Sequence, residues 1–528
     1  MVALWCVAAL SGTALSGAAA SGAAGRNAAA SNAAGGAAGR LPTEPPGAIL
    51  DGARRRAQRA ETQDGPSNAQ QAYGHCPGAC PRHMILYDAS PFFFAPGGRN
   101  GFEAIEAHLP AIAALGANAI LLSPVTASSP GDFGYAVTDD FRLRTRFGSA
   151  AQLRSLIHAA HAMGLAVLLD MAANHLSDQS PYYRDAQRRG RQSPYYDWFE
   201  RGGSGRPMHY FDWTNLENLN YDDPAVRSYL LAAFSHWLRD YHVDGFRLDA
   251  AWAVRQRDPS FWPRLRARLT RIDPNIVLIA EASGRDGYYV THGLDATYDW
   301  TSRLGQWAWD GVFTPAGRVP DLARLRAALT NSGKGYPKHT LLLRFFDNND
   351  TGERFVTRYG VGETRAAIEL LFTLPGIPLI YDGDEVGAAF RPYDEGPPIA
   401  WRDPYGLTPL YARLSRERRS VRALTSPGLR LLATDHDAEV LAYLRPGSAG
   451  EMKIVVALNF GRAPVRVRLR GTPALADFSR ARALDLASGR QWRIELPDEA
   501  LALPPFGGVI VLAGVRSHAA DAPIRANP

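Results

Sequence analysis

The feature that most constrains this chain is a repeated alternation of short apolar segments with amphipathic helical segments over roughly 330 of its 528 residues. Apolar residues at helical spacing predict helices over Phe102–Leu115, Ala150–His161 and Pro224–Tyr241. The apolar segments are too short for helices and apolar on both faces, as buried parallel strands are. They are MILYD, AILLSP, LAVLLD, GFRLDA, IVLIAEA, TLLLRFF and IPLIY. With no G-x-G-x-x-G, this alternation predicts an α/β fold of the (β/α)₈ TIM-barrel type, not a doubly wound sheet.

The predicted barrel occupies residues 81–425 and is interrupted by one long interval. Residues 176–220 are rich in Tyr, Arg and Gly and are too many for a simple loop, so they predict an insert over the barrel mouth. After about Ser426 the helical period disappears, and EVLAYLRP, MKIVVALNF, VRVRLRG, ALDLAS and GVIVLAG follow one another at short spacing. These segments predict a C-terminal antiparallel β-domain over 426–515, followed by a tail over 516–528.

The N-terminal residues have a different composition from the rest of the chain. Residues 1–20 have an apolar centre and small residues suited to cleavage near Ala18–Ala20, but no Lys or Arg at their start. They predict a signal peptide and a secreted or periplasmic protein, and the alternative is an Ala/Gly-rich tail. Residues 21–80 are rich in Ala and Gly and predict a tail or linker. Cys6 would leave with the signal peptide, and the remaining Cys76 and Cys80 fit either a small disulfide loop or two reduced thiols.

The overall charge does not indicate a nucleic-acid partner. The net charge is +6, but the cations are scattered among 52 acidic residues, and no basic run with interleaved aromatic residues occurs. No run of 18 apolar residues is present either, which excludes an integral membrane protein with several spans. The sequence leaves the oligomeric state open.

Acidic residues close several predicted strands, at the end where a parallel barrel carries its chemistry. In GFRLDA, Arg247 and Asp249 lie on the same face, where the guanidinium is expected to depress the pKa of the carboxyl. The alternative is a structural pair that caps the next helix. Glu281 ends IVLIAEA, where desolvation is expected to raise its pKa. One ionised and one protonated carboxyl match the pair that glycoside cleavage requires.

Eight segments resemble, in order, the motifs of the α-amylase family of (β/α)₈ glycoside hydrolases. The resemblance extends over about Met84–Gly514 and is more specific than any single motif. The segments are GANAILLSP, GYAVTDDFRLRTRFGS, DMAANH, LENLNYDDPAVR, GFRLDA, the Glu281 strand end, FFDNND and GIPLIYDGDE.

The resemblance implies a role for each carboxyl group. Asp249 would form the glycosyl-enzyme, Glu281 would be the general acid/base, and Asp350 would hold hydroxyls of the distorted sugar at subsite −1. Retaining chemistry would place the nucleophile and the acid/base about 5 to 5.5 Å apart.

The resemblance also implies a set of substrate-binding residues. Tyr135 would stack under that sugar, with His175 and Arg247 around it, and Asn349 would hydrogen-bond to it. The interval 176–220 would correspond to the family's domain B, and the C-terminal β-domain to its domain C.

Three departures from the family pattern concern specificity. Asn349 stands where the family usually has His, and Phe133 precedes GY where many members have His. After Asp249, the segment AAWAV replaces a Lys-His pair, which puts endo-acting starch specificity in doubt.

The sequence identifies no cofactor, and its case for calcium is weak. Asn174 matches a calcium-ligand position of the family, but the insert is short and the segment SPFFFAPGGRNG lacks the usual Asp cluster.

The predicted function is hydrolysis of α-glucosidic bonds in maltooligosaccharides or related α-glucans. A transglycosylase or isomerase of the same family would use the same intermediate, and the sequence does not separate the two. A non-catalytic carbohydrate-binding relative is disfavoured because all three carboxyl residues are present.

Overall fold

A computed structural model describes residues 81–300, 309, 311–313, 320–393, 398–447, 452–470, 473–496 and 498–513. The predicted signal peptide, the Ala/Gly-rich tail with Cys76 and Cys80, and the tail over 516–528 lie outside the described residues. None of the helices in the described ranges is both long enough and apolar enough to cross a membrane.

The strands are short, as the apolar segments predicted. In chain order they are β1 (Leu86–Ala89), β2 (Ala119–Leu122), β3 (Thr126–Ser128), β4 (Val137–Leu143), β5 (Ala166–Ala172), β6 (His175–Ser177), β7 (His209–Tyr210), β8 (Trp213–Asn218), β9 (Gly245–Asp249), β10 (Val277–Ser283), β11 (Ala296–Tyr298), β12 (Leu342–Arg344), β13 (Ile377–Tyr381), β14 (Arg430–Leu432), β15 (Val440–Arg445), β16 (Ile454–Asn459), β17 (Val465–Val467), β18 (Ala481–Asp485), β19 (Gln491–Ile494), β20 (Leu501–Leu503) and β21 (Gly507–Leu512).

The helices lie mainly between the barrel strands. In chain order they are α1 (Pro91–Phe94), α2 (Gly101–Ala114), α3 (Ala150–Ala162), α4 (Pro181–Arg189), α5 (Pro224–Tyr241), α6 (Ala251–Arg257), α7 (Phe261–Thr270), α8 (Tyr288–Thr291), α9 (Leu322–Leu329), α10 (Phe355–Tyr359), α11 (Val361–Thr373) and α12 (Thr408–Ser420).

Eight parallel strands close into a barrel in the order β1-β13-β12-β11-β10-β9-β5-β2, which confirms the predicted (β/α)₈ fold. Seven of them coincide with the predicted apolar segments. The eighth, β11, was not predicted, because its three residues Ala296–Tyr298 are too few for a recognisable apolar run. Side chains of Leu86, Leu121, Leu168 and Ile279 are among those that fill the interior.

Local sequence signals explain where two of the predicted helices begin. Helix α3 starts with a capping box, in which the Ser149 hydroxyl accepts from the Gln152 N–H and the Gln152 side chain accepts from the Ser149 N–H. Helix α5 starts at Pro224, and the Asp223 carboxylate caps it through the Ala225 N–H. The apolar stripe of α5 is buried, including Trp237.

The interval after β5 contains its own small sheet. Strands β6, β8 and β7 pair antiparallel in the order β6-β8-β7, with α4 between β6 and β7. Because β6 begins only three residues after β5 ends, this sheet lies at the carboxyl end of the barrel strands. That end is the one where barrel enzymes carry their active sites.

The C-terminal residues form the predicted antiparallel β-structure. Its six-stranded sheet has the order β14-β15-β16-β21-β18-β19, and β17 pairs with β20. Strands β14, β19 and β20, which have three or four residues each, were not predicted.

Buried hydrogen bonds join this sheet to the barrel. Arg445 of β15 donates to the carbonyl oxygens of Thr373 at 2.5 Å and Gly428 at 2.6 Å, and also to that of Ser426. The Tyr443 hydroxyl lies 2.6 Å from Thr373 Oγ1, at the last residue of α11.

Candidate active site

A buried arginine on β9 connects three carboxyl groups at the carboxyl end of the barrel. Arg247 Nη1 lies 2.8 Å from Asp170 Oδ1 and 2.8 Å from Asp249 Oδ1, and Nη2 lies 2.9 Å from Glu281 Oε2. Its Nε donates to the Tyr298 hydroxyl at 2.9 Å. The guanidinium is almost fully buried. One cation therefore neutralises part of a concentrated negative charge from three strands.

The strand register explains why these groups meet. Arg247 is paired with Asp170 across β5 and β9, and with Ile279 across β9 and β10. Side chains two residues apart on a strand point the same way, so Asp249 follows Arg247 into the barrel mouth. The sequence predicted this pairing of Arg247 with Asp249, and the structure places Glu281 beside both.

The two predicted catalytic carboxyls have different electrostatic environments. Burial raises the pKa of Glu281 well above its usual value, against the opposing effect of Arg247, and the charges of Asp249 and Asp350 raise it further. Burial also raises the pKa of Asp249, although the ion pair and hydrogen bond with Arg247 lower it. The expected net depression for Asp249 is therefore wrong, because desolvation outweighs the guanidinium. Glu281 still holds its proton more firmly than its neighbour does.

The turn after Asp249 has a strained backbone. Ala250 has a φ of 44°, a left-handed conformation that costs a residue with a Cβ atom free energy. This conformation directs its N–H to Glu281 Oε2 at 2.7 Å. The strained turn thus fixes the position of Glu281 relative to Asp249.

The third carboxyl, Asp350, lies exposed at the mouth of the barrel within a chain of hydrogen bonds. The Tyr393 hydroxyl donates to Asp350 Oδ1 at 2.8 Å. Asn349 Nδ2 donates to the hydroxyls of Tyr393 at 2.8 Å and Tyr135 at 3.0 Å. Asn349 therefore connects Asp350, through Tyr393, to the opposite side of the site.

Tyr135 and His175 form the adjoining part of the site. The Tyr135 hydroxyl donates to Asp170 Oδ2 at 2.9 Å, and the Arg247 guanidinium lies 5.9 Å from the centre of its ring. His175 Nε2 lies 3.1 Å from the Tyr135 carbonyl oxygen. Burial lowers the pKa of His175 to about 4, so the ring is neutral near pH 7 and Nε2 donates to that carbonyl. All seven predicted site residues thus lie in one connected network.

Four aromatic residues beside this network were not predicted as site residues. Tyr210 stacks on His175 with ring centres 5.3 Å apart, and it contacts Phe211, Trp213 and Trp252. Phe211 and Trp213 are 47% and 50% exposed, which is unusual for rings of this size. We call Tyr210, Phe211, Trp213 and Trp252 the aromatic wall. Of these four residues, only Trp252 lies in a segment that the sequence analysis singled out, AAWAV, directly after Asp249.

The sequence and the fold of this chain are similar to those of known proteins. The catalytic-domain model of the α-amylase family matches residues 95–403. The chain belongs to the α-amylase family. Alpha-amylase MalA of Haloarcula japonica is 31% identical over 395 residues, which are 74% of this chain and 55% of that protein. Neopullulanase 2 of Thermoactinomyces vulgaris is 28% identical over 457 residues, which are 83% of this chain and 73% of that protein.

Solved structures show the same fold at lower identity. The α-amylase from Geobacillus thermoleovorans, crystallised with acarbose, has a TM-score of 0.69 at 22% identity, and the match covers 83% of this chain and 99% of that one.

Outside the active site, the protein described here has a surface cavity of about 520 Å³ between α7 and α8, beside Arg266 and His292. None of the predicted site residues lines that cavity.

The family's calcium position does not fit a metal ion in this member. Asn174 Oδ1, the expected ligand oxygen, accepts a hydrogen bond from Arg257 Nη1 at 2.6 Å. Within the described ranges, no three His, Cys, Asp or Glu side chains are grouped as metal ligands. The Arg257 guanidinium thus occupies the position beside Asn174 where a bound metal ion would have to lie.

Proposed function

We propose that this protein is a retaining glycoside hydrolase that cleaves α-glucosidic bonds of maltooligosaccharides or related α-glucans. The observation that carries the proposal is the contact of one buried guanidinium, Arg247, with both Asp249 and Glu281 on adjacent barrel strands. Two carboxyls with different proton affinities at the mouth of a parallel barrel are suited to acid-assisted displacement at a sugar carbon.

The proposed reaction has two steps. Asp249 attacks the anomeric carbon while Glu281 gives its proton to the departing glycosidic oxygen, and a covalent glycosyl-enzyme forms. Glu281, now ionised, removes a proton from a water molecule that attacks the same carbon and releases Asp249. The raised pKa of Glu281 supports the first step, because the group must carry a proton near neutral pH.

The aromatic wall supports a substrate of several sugar units. Aromatic faces bind the apolar faces of pyranose rings, and Phe211 and Trp213 stay about half exposed although they contact each other and Tyr210. Phe211 has a φ of 53° as well as high exposure, and both features cost free energy in the unliganded protein. The names neopullulanase and cyclomaltodextrinase among the relatives agree with such substrates.

The wall is also consistent with transfer of the glycosyl group to a second sugar. A sugar held on Trp213 or Trp252 could attack the glycosyl-enzyme in place of water. Product analysis separates the two outcomes, because transfer yields oligosaccharides longer than the starting substrate.

The function is tested by incubating the protein separately with maltoheptaose, cyclodextrin, sucrose and trehalose and separating the products by chromatography. We expect shorter maltooligosaccharides, whose new reducing ends NMR first detects as the α-anomer. Asp249→Asn should lower turnover more than a thousandfold, because an amide cannot attack the anomeric carbon. The exposed Asp222→Asn is the matched control and should retain full activity.

Two results would contradict the proposal. An initial β-anomer would exclude retention, and substantial turnover by folded Asp249→Asn would exclude that residue as the nucleophile. The wall is tested with Trp213→Ala, which should raise KM for maltoheptaose several-fold and leave KM for maltose nearly unchanged. Equal effects on both substrates would show that Trp213 does not bind a distant sugar.

A further inference from the structure

The last residue of α6, Arg257, joins three parts of the molecule around a position beside the active site. Its Nη1 donates to Asn174 Oδ1 at 2.6 Å, its Nε donates to Glu200 Oε2 at 2.8 Å, and Nη1 also lies 3.2 Å from the Ala253 carbonyl oxygen. Asn174 follows barrel strand β5, Glu200 belongs to the insert, and Ala253 lies in the helix after Asp249.

The acceptors of Arg257 are oxygen atoms of the kind that bind calcium. They are a carboxylate, an amide carbonyl and a backbone carbonyl, whereas calcium requires about six to eight oxygens at roughly 2.3 to 2.6 Å. A calcium ion on Asn174 Oδ1 would lie against the positive charge of Nη1 and would have to displace it. The oxygens therefore bind a cation that belongs to the protein itself, the Arg257 guanidinium.

A second set of bonds holds the same oxygens in place. Asn218 Nδ2 donates to Glu200 Oε2 at 3.2 Å, and the Asn174 side chain is fully buried. Asn174 Nδ2 lies 3.1 Å from His175 Nδ1, whose other ring nitrogen bonds the Tyr135 carbonyl. A displacement of Asn174 would consequently be transmitted to the active site.

We propose that the Arg257 guanidinium takes the place of a divalent cation and links the barrel to the insert, so that the folded site needs no calcium. The guanidinium supplies one positive charge in place of two, and its flat group reaches two side-chain acceptors at once in a fixed geometry. Unlike a bound ion, it cannot dissociate or be chelated. The inference does not depend on the substrate or on the catalytic roles proposed above.

The first test uses the unmodified protein and measures thermal unfolding and calcium binding. After treatment with a chelator, the Tm should stay within about 1 °C of its starting value, and added CaCl₂ should neither raise it nor give a saturable calorimetric signal. A chelator-induced fall of more than about 5 °C that stoichiometric calcium reverses would overturn the proposal.

The second test replaces the guanidinium. Arg257→Ala should lower the Tm by about 3 to 6 °C, and Arg257→Lys should not restore it, because an ammonium cannot reach both oxygens in the same geometry. Arg264→Ala is the matched control, since Arg264 is 52% exposed and makes a single ion pair with Asp258 at 3.7 Å. Equal destabilisation by Arg257→Ala and the control would overturn the proposal. If Arg257→Ala does not fold, the chelation experiment on the unmodified protein decides.

Discussion

The hydrogen-bond chain from Asn349 through Tyr393 to Asp350 makes a quantitative prediction about how these residues act together. Tyr393→Phe removes the hydroxyl that donates to Asp350 at 2.8 Å and keeps the ring. A hydrogen bond to a charged group is worth about 1.5 to 3 kcal/mol, and Tyr393 is 43% exposed, so we take the lower limit. The same hydroxyl accepts the Asn349 hydrogen bond, worth about 1 kcal/mol, so the total loss is about 2.5 kcal/mol, a roughly 70-fold decrease in kcat/KM.

Asn349→Ala removes two neutral hydrogen bonds, one to Tyr393 and one to Tyr135. At about 1 kcal/mol each, the loss is about 2 kcal/mol, or roughly a 30-fold decrease in kcat/KM. If the two residues acted independently, the two losses would add to about 4.5 kcal/mol and the double variant would lose about 2,000-fold. Because both single losses include the one hydrogen bond between Asn349 and Tyr393, worth about 1 kcal/mol, we expect a loss of only about 400-fold.

The assay is kcat/KM on maltoheptaose for the wild type, the two single variants and the double variant, with the Tm measured on the same preparations. Tyr405→Phe combined with Asn349→Ala is the control pair and should be additive, because Tyr405 lies outside the hydrogen-bond chain. Additive losses for Asn349 and Tyr393 would refute the coupling. A lower Tm with kcat/KM within about twofold of wild type would show that Asn349 only anchors its loop.

Three further predictions concern pH and export. The kcat/KM should rise with pH as Asp249 ionises and fall as Glu281 ionises, and both limbs should lie above the usual carboxyl range because burial raises both pKa values. With an activated aryl glucoside, Glu281→Gln should abolish the alkaline limb, and its persistence would assign that limb elsewhere. Burial raises the pKa of Asp140 to about 8, so the stability it contributes is complete below about pH 4 and is lost as the pH rises through 8. The free energy of unfolding of Asp140→Asn, measured with denaturant, should therefore increase relative to that of the wild type as the pH rises from 5 to 8, by at most on the order of 5 kcal/mol. A difference that does not change with pH would contradict this. We also propose export, for which N-terminal sequencing of native protein should find a start between Ala18 and Gly36, whereas a start at Met1 would refute it.

The sequence predicted the centre of the site because its residues end recognisable strands. Asp249 and Glu281 each lie at the end of an apolar run, Arg247 lies two residues before Asp249, and parallel strands bring their carboxyl ends together. Their charges were less predictable. The net pKa shift of Asp249 depends on how completely the surrounding atoms exclude water, and that is a property of the three-dimensional packing.

The residues that the sequence did not predict reach the site from loops or very short strands. Tyr393 and Tyr210 come from segments whose path has no hydrophobic period, and Tyr298 belongs to the three-residue strand β11. Arg257 is an ordinary surface arginine by sequence pattern. Its role depends on Glu200, 57 residues earlier in the chain, and such a contact leaves no local signal.

The bonds from Arg445 to the chain around the end of α11 make the C-terminal sheet part of the same cooperative unit as the barrel. Removal of the sheet would expose the apolar face of α11 and leave the Thr373 carbonyl without its buried donor. Calorimetry of the intact chain should therefore show one unfolding transition for both parts. A protein shortened to the barrel alone would be expected to aggregate, so engineering for a smaller enzyme has to keep the sheet or rebuild the surface of α11.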